Sequence, residues 1–350
     1  MHAGTGMPTR CIPYSGSKGV WGKMVWFPFS IRGITVRTRP LIALSTMAAA
    51  AVLLVGCTGV EGSTGDDAES TSGDLCSATI ASGPASESVT VDGDFGTAST
   101  ASFELEQQVD EAQRTVLTEG DGEEIADGDY VQYALSAFDG DSGERLGDAG
   151  YTEGELLPVE LTADVPMGQL IGCATVGSRL SIVFPTTDDA AAQYYILDVL
   201  DVVPTAAWGE PQEPTAGMPA VTLDDDGAPS VEIPDADAPT EVQISVLKEG
   251  DGIEVGEGDT TLLQYHGVSW NSGEVFDSSW ANGAPISSEG NGYVPGFVQA
   301  LQGQKVGSQV LVVIPPAQAY GEGEINDDDL VGQTLVFVID ILATMHPASS

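Results

Sequence analysis

The chain has 350 residues, 42% of them hydrophobic, which is enough for two domains of ordinary size. Its 11 Lys and Arg stand against 53 Asp and Glu, a net charge of −42. A surplus of that sign excludes nucleic acid as a partner, because phosphate contacts need cations, and it suits a solvated surface outside the cytoplasm.

The cations are unevenly placed. Arg10, Lys18, Lys23, Arg32, Arg37 and Arg39 precede residue 41, and the first 56 residues contain no acid. A basic stretch followed by the apolar run 41–55 and a small residue before a cysteine reads as an export signal. Its end, Leu54-Val55-Gly56-Cys57, resembles the bacterial lipobox, in which the cysteine thiol receives a diacylglycerol and the chain is cut just before it. A transmembrane helix is the alternative, but the run is shorter than the ~20 residues that span a bilayer. Residues 1–56 are therefore expected to be a signal segment and Cys57 a lipid anchor to the cell membrane. The Gly, Ser, Thr and acid-rich residues 57–75 cannot bury a core and read as a flexible tether.

Cys11 would be lost with the signal and Cys57 used for lipid, leaving Cys76 and Cys173. In an oxidising compartment such a pair is expected to form a disulfide, with two buried thiols as the alternative. No His lies near either cysteine in sequence, which argues against a metal site.

From residue 76 the chain becomes strand-like, and an internal repeat sets its organisation. Val116-Leu117-Thr118-Glu119-Gly120-Asp121-Gly122 recurs as Val246-Leu247-Lys248-Glu249-Gly250-Asp251-Gly252. Gln132-Tyr133, Ser142-Gly143-Glu144 and Val176-Gly177-Ser178 find matches in Gln264-Tyr265, Ser272-Gly273-Glu274 and Val306-Gly307-Ser308. Two copies follow, at 76–203 and 241–346. The segment between them, 204–240, is rich in Pro and Asp and reads as linker with a hairpin around Asp224-Asp225-Asp226-Gly227. Three adjacent aspartates invite a calcium reading, but the alternating ligands and closing Glu of an EF-hand are missing, so a solvated turn is favoured.

In the second copy, Leu335, Phe337, Ile339 and Ile341 alternate onto one strand face with Asp340 on the other, and 310–314 is a continuous apolar strand stopped by Pro315-Pro316. Val294, Phe297, Val298 and Leu301 have the spacing of one short helix, which Gly303 can end. One helix wrapped by antiparallel strands is an α+β arrangement. Tyr265, Phe276, Tyr293, Phe297, Tyr320 and Phe337, with the carboxylate of Asp277, have the composition of an apolar pocket with polar handles.

Tyr265-His266-Gly267, Phe276-Asp277-Ser278-Ser279, Val294-Pro295-Gly296-Phe297, Leu301-Gln302-Gly303, Ala319-Tyr320-Gly321 and Leu335-Val336-Phe337 together resemble the signature of the FKBP-type peptidyl-prolyl cis-trans isomerases. The resemblance covers about 242–342 and implies two FKBP-like domains, each an antiparallel sheet around a short helix. It implies that Tyr265, Phe276, Asp277, Tyr293, Val294, Phe297, Tyr320 and Phe337 line a proline pocket. Tyr320 would bond a substrate carbonyl through its hydroxyl, Val294 would offer its backbone N–H, and Asp277 would orient the pocket. His266, next to Tyr265 on a strand, is expected on the opposite face. Phe297 stands where the family usually has Trp, and the loop from Glu322 to Leu330 is acidic where the family often has an apolar one. No cofactor or metal is implied. The partners implied are proline-containing polypeptides and, as a candidate ligand of the same pocket, a macrolide. The first copy has Leu146-Gly147 at the place of Phe276-Asp277 and reads as a degenerate, noncatalytic domain. A noncatalytic chaperone or binding module on the same fold is the alternative for the whole chain.

Overall fold

The structure is a computed structural model that describes residues 74–289, 292–325 and 329–347. The expected signal segment, most of the expected tether and Cys57, the expected lipid site, lie outside the described residues. Among the described residues, no helix is long and apolar enough to cross a membrane.

The first copy opens with a short helix, α1 (Pro84–Glu87), and a small hairpin, β1 (Thr90–Asp92) and β2 (Thr100–Ser102). Then come β3 (Gln113–Thr118), β4 (Tyr130–Asp139), β5 (Arg145–Ala149), β6 (Val159–Glu160), α2 (Pro166–Ile171), β7 (Arg179–Phe184) and β8 (Gln193–Val203). They form an antiparallel sheet in the order β3-β7-β8-β4-β5, with β6 also on β4. Cys76 and Cys173 are joined in a disulfide that ties the start of the folded chain to the residue two beyond α2.

The second copy runs β9 (Glu210–Pro211), β10 (Ala220–Leu223), β11 (Pro229–Glu232), β12 (Gln243–Glu249), β13 (Thr260–Ser269), β14 (Val275–Ser278), α3 (Ser279–Asn282), β15 (Ile286–Glu289), α4 (Pro295–Leu301), β16 (Gln309–Ile314) and β17 (Leu335–Met345). Its sheet order, β14-β13-β17-β16-β12-β9 with β15 on β13, repeats that of the first copy and adds β9 at the edge. Bulges recur at matching places: Val116/Thr118 and Val246/Lys248, Gln132/Tyr133 and Leu262/Leu263, Ala137/Phe138 and Gly267/Val268. A bulge displaces one residue from the ladder, so shared bulges pin the two registers residue by residue. They correct one sequence match. Tyr133 is the counterpart of Leu263, and Tyr265 corresponds to Leu135, because the Gln-Tyr pairs sit two places apart along equivalent strands.

Helix α4 starts where Pro295 presets its first turn and ends before Gly303, whose φ of 76° is left-handed. It lies against one face of the sheet, where Phe297, Ala300 and Leu301 pack with Leu263, Val310, Val312, Ile314, Leu335, Phe337, Ile339 and Ile341. The opposite face of β17 is equally buried. Val336 and Val338 join Val268, Trp270, Leu311 and Val313 in a second core. Hairpin β10–β11 covers it with Val221 and Val231, so the segment expected as linker is packed against the second copy. The first copy does the same, with Val91 and Ala101 of β1–β2 over Phe138, Val183, Tyr194 and Ile196.

Each outer core encloses one buried carboxylate at the same place in the last strand. Asp198 is held by Arg179 Nε at 2.6 Å and accepts from the Gly96 N–H at 2.9 Å. Asp340 is held by Gln309 Nε2 and by the Ala207 N–H, both at 2.8 Å. Burial pushes the Asp340 carboxyl above its usual range.

Candidate functional site

Phe297 is the floor of the site. It projects from the first turn of α4 and is only 2% exposed. Tyr293 stacks on it at 4.3 Å between ring centroids, while Phe337 and Tyr265 meet it edge-on at 5.1 and 6.4 Å. Phe276 closes the far side, edge-on to Phe337 at 5.4 Å. Edge-to-face packing of this kind is favourable beyond its area burial and holds each ring against its neighbours. The strands explain the convergence. Tyr265 on β13 and Phe337 on β17 point to the helix side of the sheet, and Phe276 on β14 reaches over from the edge.

Asp277 is exposed but fixed. Its Oδ2 accepts the Tyr265 hydroxyl at 2.6 Å and its Oδ1 accepts the Ser278 N–H at 2.9 Å. The Tyr265 phenol is held well above its ordinary value, first by burial and then by this bond to a carboxylate, so it stays a neutral donor. Burial also raises Tyr293, with Ser288 acting in the opposite sense.

Ser279 was not singled out by sequence reasoning beyond its place after Asp277. Its hydroxyl accepts the Tyr265 N–H at 2.8 Å and donates to Gln264 Oε1 at 2.5 Å, which ties the start of α3 to β13 behind the pocket. The run of two serines after the aspartate was the available signal.

Seven of the eight expected pocket residues are therefore brought together: Tyr265, Phe276, Tyr293, Val294, Phe297 and Phe337 belong to one core, and Asp277 is bonded to it. Val294 caps α4, its carbonyl accepting from Phe297 and Val298. Tyr320 stands apart on the rim, 54% exposed. His266 faces away, with Nδ1 3.2 Å from Ser278 Oγ and its pKa lowered by burial. Among the described residues the cluster of metal-ligating type is Cys76, Glu124 and Cys173, and the disulfide consumes both of its thiols.

At the equivalent places the first copy has Leu135, Leu146, Gly147 and Tyr195 for Tyr265, Phe276, Asp277 and Phe337. Residues 185–192 join β7 to β8, whereas 315–334 join β16 to β17. The longer connection carries Tyr320 and the acidic loop.

The arrangement offers a cluster of packed rings with one oriented carboxylate at its edge and a phenol on its rim. Comparison with known proteins agrees with it. The family described as FKBP-type peptidyl-prolyl cis-trans isomerase matches residues 252–342. A probable FK506-binding protein of Corynebacterium glutamicum is 38% identical over 115 residues, which are 33% of this chain and 97% of that protein. An FK506-binding protein of Streptomyces anulatus is 37% identical over 118 residues, 33% of this chain and 95% of that one. FkpA of Escherichia coli K12, an FKBP-type peptidyl-prolyl cis-trans isomerase, is 33% identical over 97 residues, 28% of this chain and 35% of its own. Through its second copy, with the ring cage over Phe297, this chain belongs to the FKBP-type peptidyl-prolyl cis-trans isomerase family.

Proposed function

We propose that the second copy catalyses cis–trans isomerisation of X–Pro bonds in exported polypeptides, in a protein held by a lipid on Cys57 at the outer face of the cytoplasmic membrane. The observation that carries the catalytic part is the cage of Tyr265, Tyr293, Phe276 and Phe337 over the buried Phe297. An X–Pro bond turns through a twisted state without amide resonance, against a barrier of about 18–20 kcal/mol. The planar form has more charge separation and is better solvated by water, so an apolar cage favours the twisted form, and shape adds to the preference. Tyr320, on the rim, is suited to bond a substrate carbonyl, and the Val294 N–H makes no bond to another described residue. A macrolide that presents a proline-like ring is the competing ligand of the same cage.

The lipid anchor rests on the lipobox-like sequence, and the Cys76–Cys173 disulfide is in keeping with an oxidising compartment. The first copy, with Leu135, Leu146 and Gly147 at the pocket positions, is noncatalytic in this reading. Proline-limited refolding of a client with the purified full chain tests the activity. Acceleration that a macrolide of the FK506 class abolishes is the expected result, and no acceleration by folded protein overturns it. Mass spectrometry of the membrane-extracted protein tests the anchor, which requires a diacylated N-terminal Cys57.

A further inference from the structure

Pairing between β13 and β14 stops one rung earlier than between their counterparts in the first copy. There β4 and β5 stay paired as far as Leu135 with Ala149, whereas β13 and β14 end at His266 with Ser278 and the chain turns at Ser279 into α3. The missing rung is Tyr265 with Ser279, and a side chain replaces it: Ser279 Oγ accepts the Tyr265 N–H at 2.8 Å. The same hydroxyl donates to Gln264 Oε1 at 2.5 Å. Ser279 is fully buried and Gln264 nearly so, which shields both bonds from water and strengthens them.

Tyr265 is thereby held at both ends by residues two apart in sequence. Ser279 takes its N–H, and Asp277 takes its hydroxyl at 2.6 Å. Asp277 is itself exposed, and the ladder just before it is irregular, with a bulge at Gly267/Val268. The firm anchor of this stretch is therefore on its other side, where Ser279 is clamped between Gln264 and Tyr265.

These residues occur as a set. The first copy has Ala134, Leu135, Gly147 and Ala149 at the places of Gln264, Tyr265, Asp277 and Ser279. Ala134 is fully buried, so the fold closes over this position without an amide. A buried amide costs free energy unless it is bonded, and Gln264 stands only in the copy that has a carboxylate to station.

We propose that Gln264 and Ser279 are positioning residues for the isomerase, acting through Asp277: they fix the start of α3 so that the carboxylate meets the Tyr265 hydroxyl. The inference rests on the isomerase reading of the ring cage. Neither residue touches the client in this arrangement.

The test compares turnover of one Ala-Pro peptide by the full chain and by its Ser279→Ala, Gln264→Ala, Asp277→Ala and Asp277→Ala/Ser279→Ala variants, each checked for folding by its melting curve. Ser279→Ala is expected to lower kcat/KM about three- to tenfold, the range that one hydrogen bond supplies, and Gln264→Ala by less. Because the pair acts through the carboxylate, Ser279→Ala should cost no further turnover in the Asp277→Ala background. A group that merely stabilises the fold would lower the melting temperature in both backgrounds and turnover in neither. The second readout is the Tyr265 hydroxyl proton, which a bond to a carboxylate slows in exchange and moves downfield in the NMR spectrum. Its resonance should be present in the wild type, lost in Asp277→Ala and weakened in Ser279→Ala. Wild-type turnover by folded Ser279→Ala, an equal loss in both backgrounds, or an unchanged hydroxyl resonance overturns the positioning pair while leaving the isomerase standing. Should Ser279→Ala not fold, Gln264→Ala and Asp277→Ala/Gln264→Ala decide by the same criteria, since the first copy holds Ala134 at that place. No acceleration by the folded wild-type chain overturns both.

Discussion

Gly267 faces Phe337 directly across β13 and β17, and a methyl group added at Gly267 would lie 3.0 Å from Phe337 Cε1 and 2.7 Å from Phe276 Cζ. The hydrogen atom in place of a side chain is thus what lets the two rings meet. The first copy, with Leu146 in place of Phe276, has Ala137 at this position. Gly267→Ala is expected to push Phe276 out of the cage, lowering kcat/KM by about tenfold or more and stability by about 1–3 kcal/mol, the usual cost of overpacking. Turnover together with the thermal midpoint checks this, and wild-type values for both would count against the cage.

The bond from Tyr265 to Asp277 makes a separable prediction. Both groups lie at the edge, so breaking their bond should change the melting temperature little. Asp277→Ala is expected to reduce kcat/KM about tenfold or more, because a bond to a charged group is lost where it orients the pocket. Since the Tyr265 proton is held above its ordinary value, turnover should stay flat from about pH 6 to 9. A tyrosine-like decline within that range would contradict the assignment.

Asp340 is expected to make stability depend on pH. Its carboxyl is raised in the folded protein, so folding favours the protonated form. The corresponding stability is present below the ordinary carboxylate range and is lost as pH rises through the folded value. Asp340→Asn can still accept from Ala207, and a reoriented Gln309 can bond its amide. The variant should therefore melt a few degrees above wild type at pH 7, with the difference shrinking as the medium is acidified to about pH 3. Paired melting curves across that range measure it.

The Cys76–Cys173 link spans 97 residues of sequence. Cys76→Ser/Cys173→Ser should lose about 2–5 kcal/mol, as expected when a native disulfide closing a long loop is removed. Thiol reduction of the wild-type protein should reproduce the lower melting temperature, and its failure to do so would remove the bridge from the account.

Much of the ring cluster was legible because its residues announce themselves in pairs and triplets. Phe276-Asp277 and Val294-Pro295-Gly296-Phe297 carry both the side chain and the local geometry that places it. The same was true of β17, where strict alternation separates Leu335, Phe337, Ile339 and Ile341 from Asp340. What stayed hidden depended on partners distant in sequence. Nothing around Val221 and Val231 says that they cover Val336 and Val338, since a short apolar pair between prolines looks the same in a linker. Register was equally opaque: Gln132-Tyr133 and Gln264-Tyr265 match as letters, while the bulges show them two places apart. Tyr320 fell on the rim because the residues around it make a long connection, and spacing says nothing about how such a loop leans.

The hairpin β10–β11 also decides where this chain can be cut. A fragment begun at residue 241, where the family resemblance starts, would leave Val268, Trp270, Leu311, Val313, Val336 and Val338 bare to water on a broad sheet face. It would also strip Asp340 of its bond from Ala207. Such a piece would be sticky and poorly soluble however sound its ring cage, whereas one begun near residue 205 would carry its own cover.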